Sequence, residues 1–196
     1  MKRILASLCL AGLIAVPSLA ALKAGDKAPD FSARASRAGK EFKFSLKDAL
    51  KKGPVVVYFY PSAFTGGCNL EAHTFSENKA KFDAAGASVI GVSRDSLERL
   101  NAFSADPQYC AGNVTVASDA DGAISKSYNL NTITVPTGMK DSRGDAIDHE
   151  LTERVTFVVT PDSKIAATFP SADDKITPAQ HVEKALTLVQ ELANKH

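Results

Sequence analysis

Apolar and polar positions change period several times along the chain. Val55-Val56-Val57-Tyr58-Phe59-Tyr60 is an unbroken run of β-branched and aromatic residues, too short for a helix. Such a run predicts a strand buried on both faces, and therefore a sheet covered by helices. Pro61 stops it. From about Gly67 to Ala84 the period turns helical, with Phe75 and Phe82 one heptad apart. Ala87–Val92 predicts a second buried strand. Asp95 is placed to cap the next helix, with Glu98 three residues on as in a capping box. Leu97, Leu100 and Phe103 would form its inner face, which Ser104 and Asp106 cut short. Val114–Ala117 predicts a short strand, Ile124–Tyr128 a short helix and Val155–Val159 another strand. The turn residues Thr160-Pro161-Asp162-Ser163 lead into Ile165–Phe169, so this pair reads as a hairpin.

The last helix is the plainest. Thr177 suits the N-cap and Pro178 the first helical position. Val182, Ala185, Leu186, Val189, Leu192 and Ala193 form one apolar stripe at helical spacing, which is core. The order β-α-β-α-β-α-β-β-α describes an α/β domain with a central mixed sheet flanked by helices. Leu130–Glu150 has no clear period and carries Pro136, Gly138 and Gly144, which predicts a long loop; such loops are often functional.

Composition narrows the class. The chain has 196 residues, enough for one domain of ordinary size. Its 23 Lys and Arg nearly balance 22 Asp and Glu, so no field favours nucleic acid or an anionic membrane. The first twenty residues read as an address. Lys2-Arg3 is a positive start, Ile4–Val16 carries no charge, Pro17 breaks the run, and Ser18-Leu19-Ala20 offers a small-residue cleavage site. This is the layout of a signal peptide over 1–20, and it predicts export, to a bacterial periplasm, without stable membrane association. Residues 21–196 are then one domain. Cys9 would be removed, leaving Cys68 and Cys110 in an oxidising compartment, where the pair could simply form a stabilising bridge. His149, His181 and His196 are scattered and give no metal-ligand spacing, so neither a metal nor a cofactor is expected.

The chemistry concentrates after the first buried strand. In Phe59-Tyr60-Pro61-Ser62-Ala63-Phe64-Thr65-Gly66-Gly67-Cys68-Asn69-Leu70-Glu71 a strand ends at a proline, a small loop follows, and Cys68 opens a helix. There it meets unpaired N–H groups and the positive end of the helix dipole, which favour thiolate over thiol. Thr65 could donate to that thiolate or accept from a bound hydroxyl. The glycines at 66 and 67 let a ligand approach the backbone. On these residues alone, a buried inert cysteine is an equal reading.

Pro61-x-x-x-Thr65-x-x-Cys68 resembles the peroxiredoxin active-site signature. Phe59-Tyr60 before it, Glu71 after it, and Arg154 followed by Thr156-Phe157 resemble that family too. The resemblance runs from about Lys23 to the C-terminus and looks closest to the bacterioferritin-comigratory (Q-type) subgroup. It implies a thioredoxin-like fold and reduction of hydroperoxides by a thiolate. Cys68 would attack a peroxide oxygen and become sulfenic acid. Arg154 would hold the thiolate ionised and bind peroxide oxygen. Thr65 would orient the peroxide, N–H groups near Gly67 and Cys68 would complete the cradle, and Pro61 would shield the thiolate. Glu71 would orient groups around Arg154 or the loop. Arg94 is the fallback cation.

Many Q-type members carry a resolving cysteine five residues after the peroxidatic one, where this chain has His73. Cys110 is the candidate resolver, in a turn near Pro107 and Gly112 expected to be mobile; His73 is expected on the surface. A one-Cys cycle using an external thiol is the rival. A thioredoxin-like or small-thiol reductant would close the cycle, in a monomer or homodimer. A Cys-x-x-Cys oxidoreductase is disfavoured by Glu71, and a copper carrier by Ala72. A non-catalytic or redox-relay protein with a Cys68–Cys110 bridge is the reading from another class.

Overall fold

The computed structural model describes residues 20–195; the signal-peptide reading falls almost wholly outside them. The domain is built on a seven-stranded mixed sheet in the order β2-β1-β5-β4-β3-β8-β9. Its strands are β1 Ser32–Arg37, β2 Lys40–Ser45, β3 Val55–Phe59, β4 Ser88–Ser93, β5 Thr115–Ser118, β8 Val155–Val159 and β9 Ile165–Pro170. The central three, β5-β4-β3, run parallel, while β1 and β8 flank them antiparallel. A separate two-stranded ladder joins β6 Thr132–Ile133 to β7 Leu151–Thr152. The helices are α1 Leu46–Leu50, α2 Gly66–Glu77, α3 Lys79–Ala84, α4 Leu97–Ala105, α5 Ala123–Ser127, α6 Ser171–Asp174 and α7 Pro178–Ala193.

Every residue of β3 is buried, because both faces of the sheet are covered. The period-2 alternation sorts its side chains into two cores. Val56, Tyr58 and Tyr60 face α2, α3, α4 and α7. Val55, Val57 and Phe59 face α1, Tyr128 and the N-terminal segment. Cys68 and Cys110 both belong to the first core. The last helix has the expected cap: Thr177 accepts from the Gln180 backbone and Gln180 answers to the Thr177 backbone. This reciprocal capping stabilises the helix start by about 1 kcal/mol.

Several expectations change. The single helix expected over 67–84 is two, interrupted at Asn78, whose backbone leaves helical geometry and whose side-chain amide donates to the Thr74 carbonyl at 2.9 Å. Phe75 and Phe82 still meet, with ring centroids 5.6 Å apart. The β1–β2 hairpin was not anticipated. Asp95 is not a cap: Ser96 is, accepting from the Arg99 backbone at 3.2 Å. Nor does the inner face of α4 stop at Ser104, which is buried and hydrogen-bonded to Ser36 at 2.9 Å. The stretch expected as one loop, 130–150, contributes β6 and a hairpin-like loop over 139–147 closed by Ile147 N donating to Met139 O at 3.0 Å.

Candidate active site

At its carboxyl end β3 runs into Tyr60-Pro61, and the chain turns through residues 61–65 into α2. This end of a parallel sheet is where α/β folds build their sites. Thr65 is the N-cap of α2 with extended backbone, and its hydroxyl donates to the Ser62 carbonyl at 2.7 Å. The proton expected on the Cys68 sulfur is therefore used inside the turn, and the hydroxyl's lone pairs stay free to accept from an O–H. Phe64 sits in the left-handed region at φ 60, which is costly for a residue with a Cβ. Cys68 lies in the first turn of α2, 2% exposed. Gly66 and Gly67 beside it are exposed. A Cβ on Gly67 would stand 3.2 Å from Arg154 Nη2 and 3.4 Å from the Pro178 ring, so the bare backbone here fits a narrow approach to the sulfur.

Arg154 enters from the start of β8. Its Nη2 donates to Cys68 Sγ at 3.2 Å and its Nη1 is ion-paired with Glu71 Oε2. Glu71 is fully buried, one turn along α2 from Cys68, and so is no solvated helix carboxylate. Burial pushes its carboxyl up to about 7 against the opposing pull of Arg154. One guanidinium thus serves two potential anions. Arg94, the fallback cation, is committed elsewhere: it pairs with Glu150 at 3.0 Å.

Cys110 does lie in a turn, and that turn is packed into the core. It is fully buried, and its carbonyl accepts from the Asn113 and Val114 backbones at 2.8 and 3.3 Å. Burial pushes its thiol far up, with Asp106 adding in the same direction. Both cysteines are free thiols. His73 lies toward solvent beside Glu77 at 3.2 Å.

Three polar residues outside the signature hold the turn, and a fourth lies near Arg154. The buried Asp95 carboxylate accepts from Ser62 Oγ and the Ala63 N–H, both at 2.8 Å, and from Ser93 Oγ at 2.7 Å. Arg99 donates to the Ala63 carbonyl at 2.9 Å and to Asp141 at 2.8 Å. His149 Nε2 lies 2.9 Å from Asp95 Oδ1. Beneath Arg154, His181 bridges Thr156 Oγ1 at 2.9 Å and Ser171 Oγ at 2.6 Å. Apart from Ser93–Asp95, these contacts join residues ten or more positions apart and do not follow from local spacing.

A family model described as the AhpC/TSA family matches residues 24–168. Peroxiredoxin Bcp of Escherichia coli (strain K12) is 31% identical over 172 residues, 88% of this chain and 98% of its own length. Among solved structures, peroxidoxin BcpB from Mycobacterium tuberculosis has a TM-score of 0.71 at 26% identity, covering 87% of this chain and 97% of that one. The bacterioferritin comigratory protein of Xanthomonas campestris, whose structures concern its alkyl peroxide reduction activity, gives 0.64 at 26% identity over 83% and 92%. The thioredoxin-like fold, the matched family and the Bcp relatives agree with the signature around Cys68, and the chain belongs to the AhpC/TSA peroxiredoxins, in their bacterioferritin-comigratory branch, as a thiol-dependent peroxidase.

Proposed function

We propose that the protein reduces hydrogen peroxide and small organic hydroperoxides with Cys68 as the attacking thiolate. The observation that carries this reading is the Arg154 donor on Cys68 Sγ at 3.2 Å, at the start of a helix and behind a bare Gly67 backbone. Sulfur attacks one peroxide oxygen, the O–O bond breaks, and the leaving oxygen departs as water or alcohol after taking a proton. Sulfur is oxidised to sulfenic acid and the peroxide is reduced by two electrons. Arg154 and the N–H groups opening α2 face the negative charge that develops on oxygen. Thr65 Oγ1 accepts from the hydroperoxide O–H, and Pro61 and Phe64 keep water from the sulfur. The alkyl peroxide activity named for the Xanthomonas campestris relative supports the organic substrates.

In the second half, Cys110 attacks the Cys68 sulfenic acid, giving a disulfide and water. A thioredoxin-like or small dithiol then returns two electrons and two protons. Membership of one apolar cluster supports this pairing. The burial of Cys110 favours a second reading, a one-Cys cycle in which an external thiol reduces Cys68 directly. Intact mass with a free-thiol count decides. Reduced protein lacking residues 1–20 is given one equivalent of hydrogen peroxide for seconds. Loss of two hydrogens and both thiols means the internal disulfide. Gain of one oxygen with Cys110 free means the one-Cys cycle. No change removes the proposal and leaves Cys68 as a structural thiol.

The export pattern of residues 1–20 supports a periplasmic site of action. Expression of the full chain in a Gram-negative bacterium, followed by fractionation and N-terminal mass analysis, should find a periplasmic product that starts at Ala21; an uncleaved cytoplasmic product overturns this.

A further inference from the structure

The turn that carries Cys68 into place is held by a strap from far along the chain. Residues 139–149 fold back over it. Ser142 N donates to the Phe64 carbonyl at 2.9 Å, and the Arg143 guanidinium lies 3.4 Å from the centre of the Phe64 ring. Asp141, its side chain fully buried, ties the strap to Arg99 at 2.8 Å and pairs with Arg143 within the strap at 3.1 Å. Ala63 has both backbone groups held, its N–H by Asp95 and its carbonyl by Arg99. Ser62, Ala63 and Phe64 are thus anchored in succession, with Phe64 in a backbone conformation that would relax if released.

His149 closes the far end of the strap. Its Nε2 faces Asp95 Oδ1 at 2.9 Å and its Nδ1 faces the Glu150 carbonyl, also at 2.9 Å; the Ser62 hydroxyl, 3.4 Å from Nε2, gives its own proton to Asp95 Oδ1 at 2.8 Å and so also offers the ring an acceptor. Both closer partners are acceptors. A neutral imidazole has one N–H and can satisfy one of them; only the imidazolium satisfies both. His181 makes the contrast, since both its ring nitrogens face hydroxyls, which can donate or accept.

We propose that His149, acting through Asp95, is a positioning residue for the peroxidatic turn, and that its imidazolium form latches the 139–149 strap over Ser62–Phe64. The proposal rests on the reading of Cys68 as the nucleophile. The charged groups that face the ring are Asp95 at the end of β4 and Arg99 from α4, whose Nε lies 2.9 Å from the same Asp95 oxygen. Asp141 balances Arg99 from the strap, and the Glu150 carboxylate is turned away to Arg94 at 3.0 Å. Asp95 and the Glu150 carbonyl raise the His149 pKa from its ordinary value, against burial and Arg99. The latch is therefore closed at acid pH and loosens as pH rises through the latched-state value. A loosened turn moves Cys68 away from Arg154 and toward the surface, where resolution or external reduction takes place.

The test is hydrogen exchange of the peptide spanning 61–65 in the reduced protein, from pH 5.5 to 8.5, corrected for intrinsic rates. Wild type should exchange faster as pH rises, by about tenfold for each unit separating the latched and open His149 pKa values. His149→Gln keeps one N–H for Asp95 but does not titrate, and should lose the pH dependence. Asp141→Asn loosens the other foot of the strap; it should speed exchange at all pH values and retain the His149 inflection. A flat wild-type profile, or an unchanged pH dependence in His149→Gln, overturns the proposal. The rate of Cys68 oxidation by hydrogen peroxide, followed in parallel, should lose the same inflection in His149→Gln. A Cys68→Ser protein with full peroxidase activity would instead overturn the reading of the nucleophile and leave the exchange result standing.

Discussion

Cys68 and Cys110 share one apolar core and are almost equally buried, at 2% and 0% exposed, yet different groups face their sulfurs. Cys68 stands in the first turn of α2, with an arginine donor 3.2 Å from its sulfur. Cys110 sits in a backbone turn, where burial and nearby Asp106 both disfavour its thiolate. Desolvation alone makes a cysteine inert. What separates the two is a permanent positive charge, carried by Arg154 and held in the core by Glu71.

The comparison is broken most completely at Cys68 itself. Cys68→Ser should abolish peroxide turnover while Cys110 remains free, checked by coupled peroxide consumption and thiol counting. Removing the charge comes next. Arg154→Met should slow oxidation of Cys68 by about 10²–10³-fold, the usual effect of deleting one donor aimed at developing charge. The fold should survive, because Glu71, pushed up to about 7 by burial, can take up a proton and avoid becoming an unpaired buried charge. Competition kinetics against a second thiol peroxidase measures this; a loss below about threefold would mean that Arg154 is a structural ion pair.

The support beneath Arg154 gives a pH signature in stability. His181 is fully buried, contacts the hydroxyls of Thr156 and Ser171, and has its pKa lowered to about 4, chiefly by burial and then by the charges of Arg154 and Lys184. Unfolded, it binds a proton near pH 6.5; folded, it resists. Its contribution is therefore intact above pH 6.5, is lost as pH falls toward 4, and amounts to about 3 kcal/mol over that range. Urea midpoints of wild type should fall through this window, and His181→Gln should flatten that part of the curve.

Much of this site was legible because it is local. The β3 run, Pro61, Thr65 and Cys68 follow one another in sequence, and α7 announces itself with Thr177 and Pro178. The β1–β2 hairpin was not legible: the buried positions of β1 are Ala33, Ala35 and Ser36, too small and too polar to write a strand period. The latch was not legible either. Asp95 stands just before a helix and looked like a cap, but its carboxylate turns inward to a loop 32 and 33 residues earlier and to His149, 54 residues later. Polar pairing across such separations leaves no periodicity. The burial of Cys110 was hidden for a related reason. Pro107 and Gly112 signal a turn, and turns are usually exposed, but Phe103 and Tyr109 pack over this one with ring centroids 5.6 Å apart.

The smallest expected effect is also the most discriminating between the two cysteines. Cys110→Ala removes one buried heavy atom, so it should cost about 1 kcal/mol of stability, the cost of a deletion of that size. Arg154 is hydrogen-bonded to Glu71 and to Cys68. Oxidation of Cys68 should then proceed within about twofold of wild type, because the Arg154 donor and the Glu71 pair that face its sulfur are untouched. What changes is the product. With Cys110 present, one equivalent of peroxide should end in a disulfide; without it, sulfenic acid should persist and a second equivalent should drive it to sulfinic acid, seen as a further gain of one oxygen in intact mass. Equal resistance of the two proteins to that second oxidation would assign Cys110 to the core alone, and would make the contrast between the cysteines one of catalysis against packing rather than of two steps in one cycle.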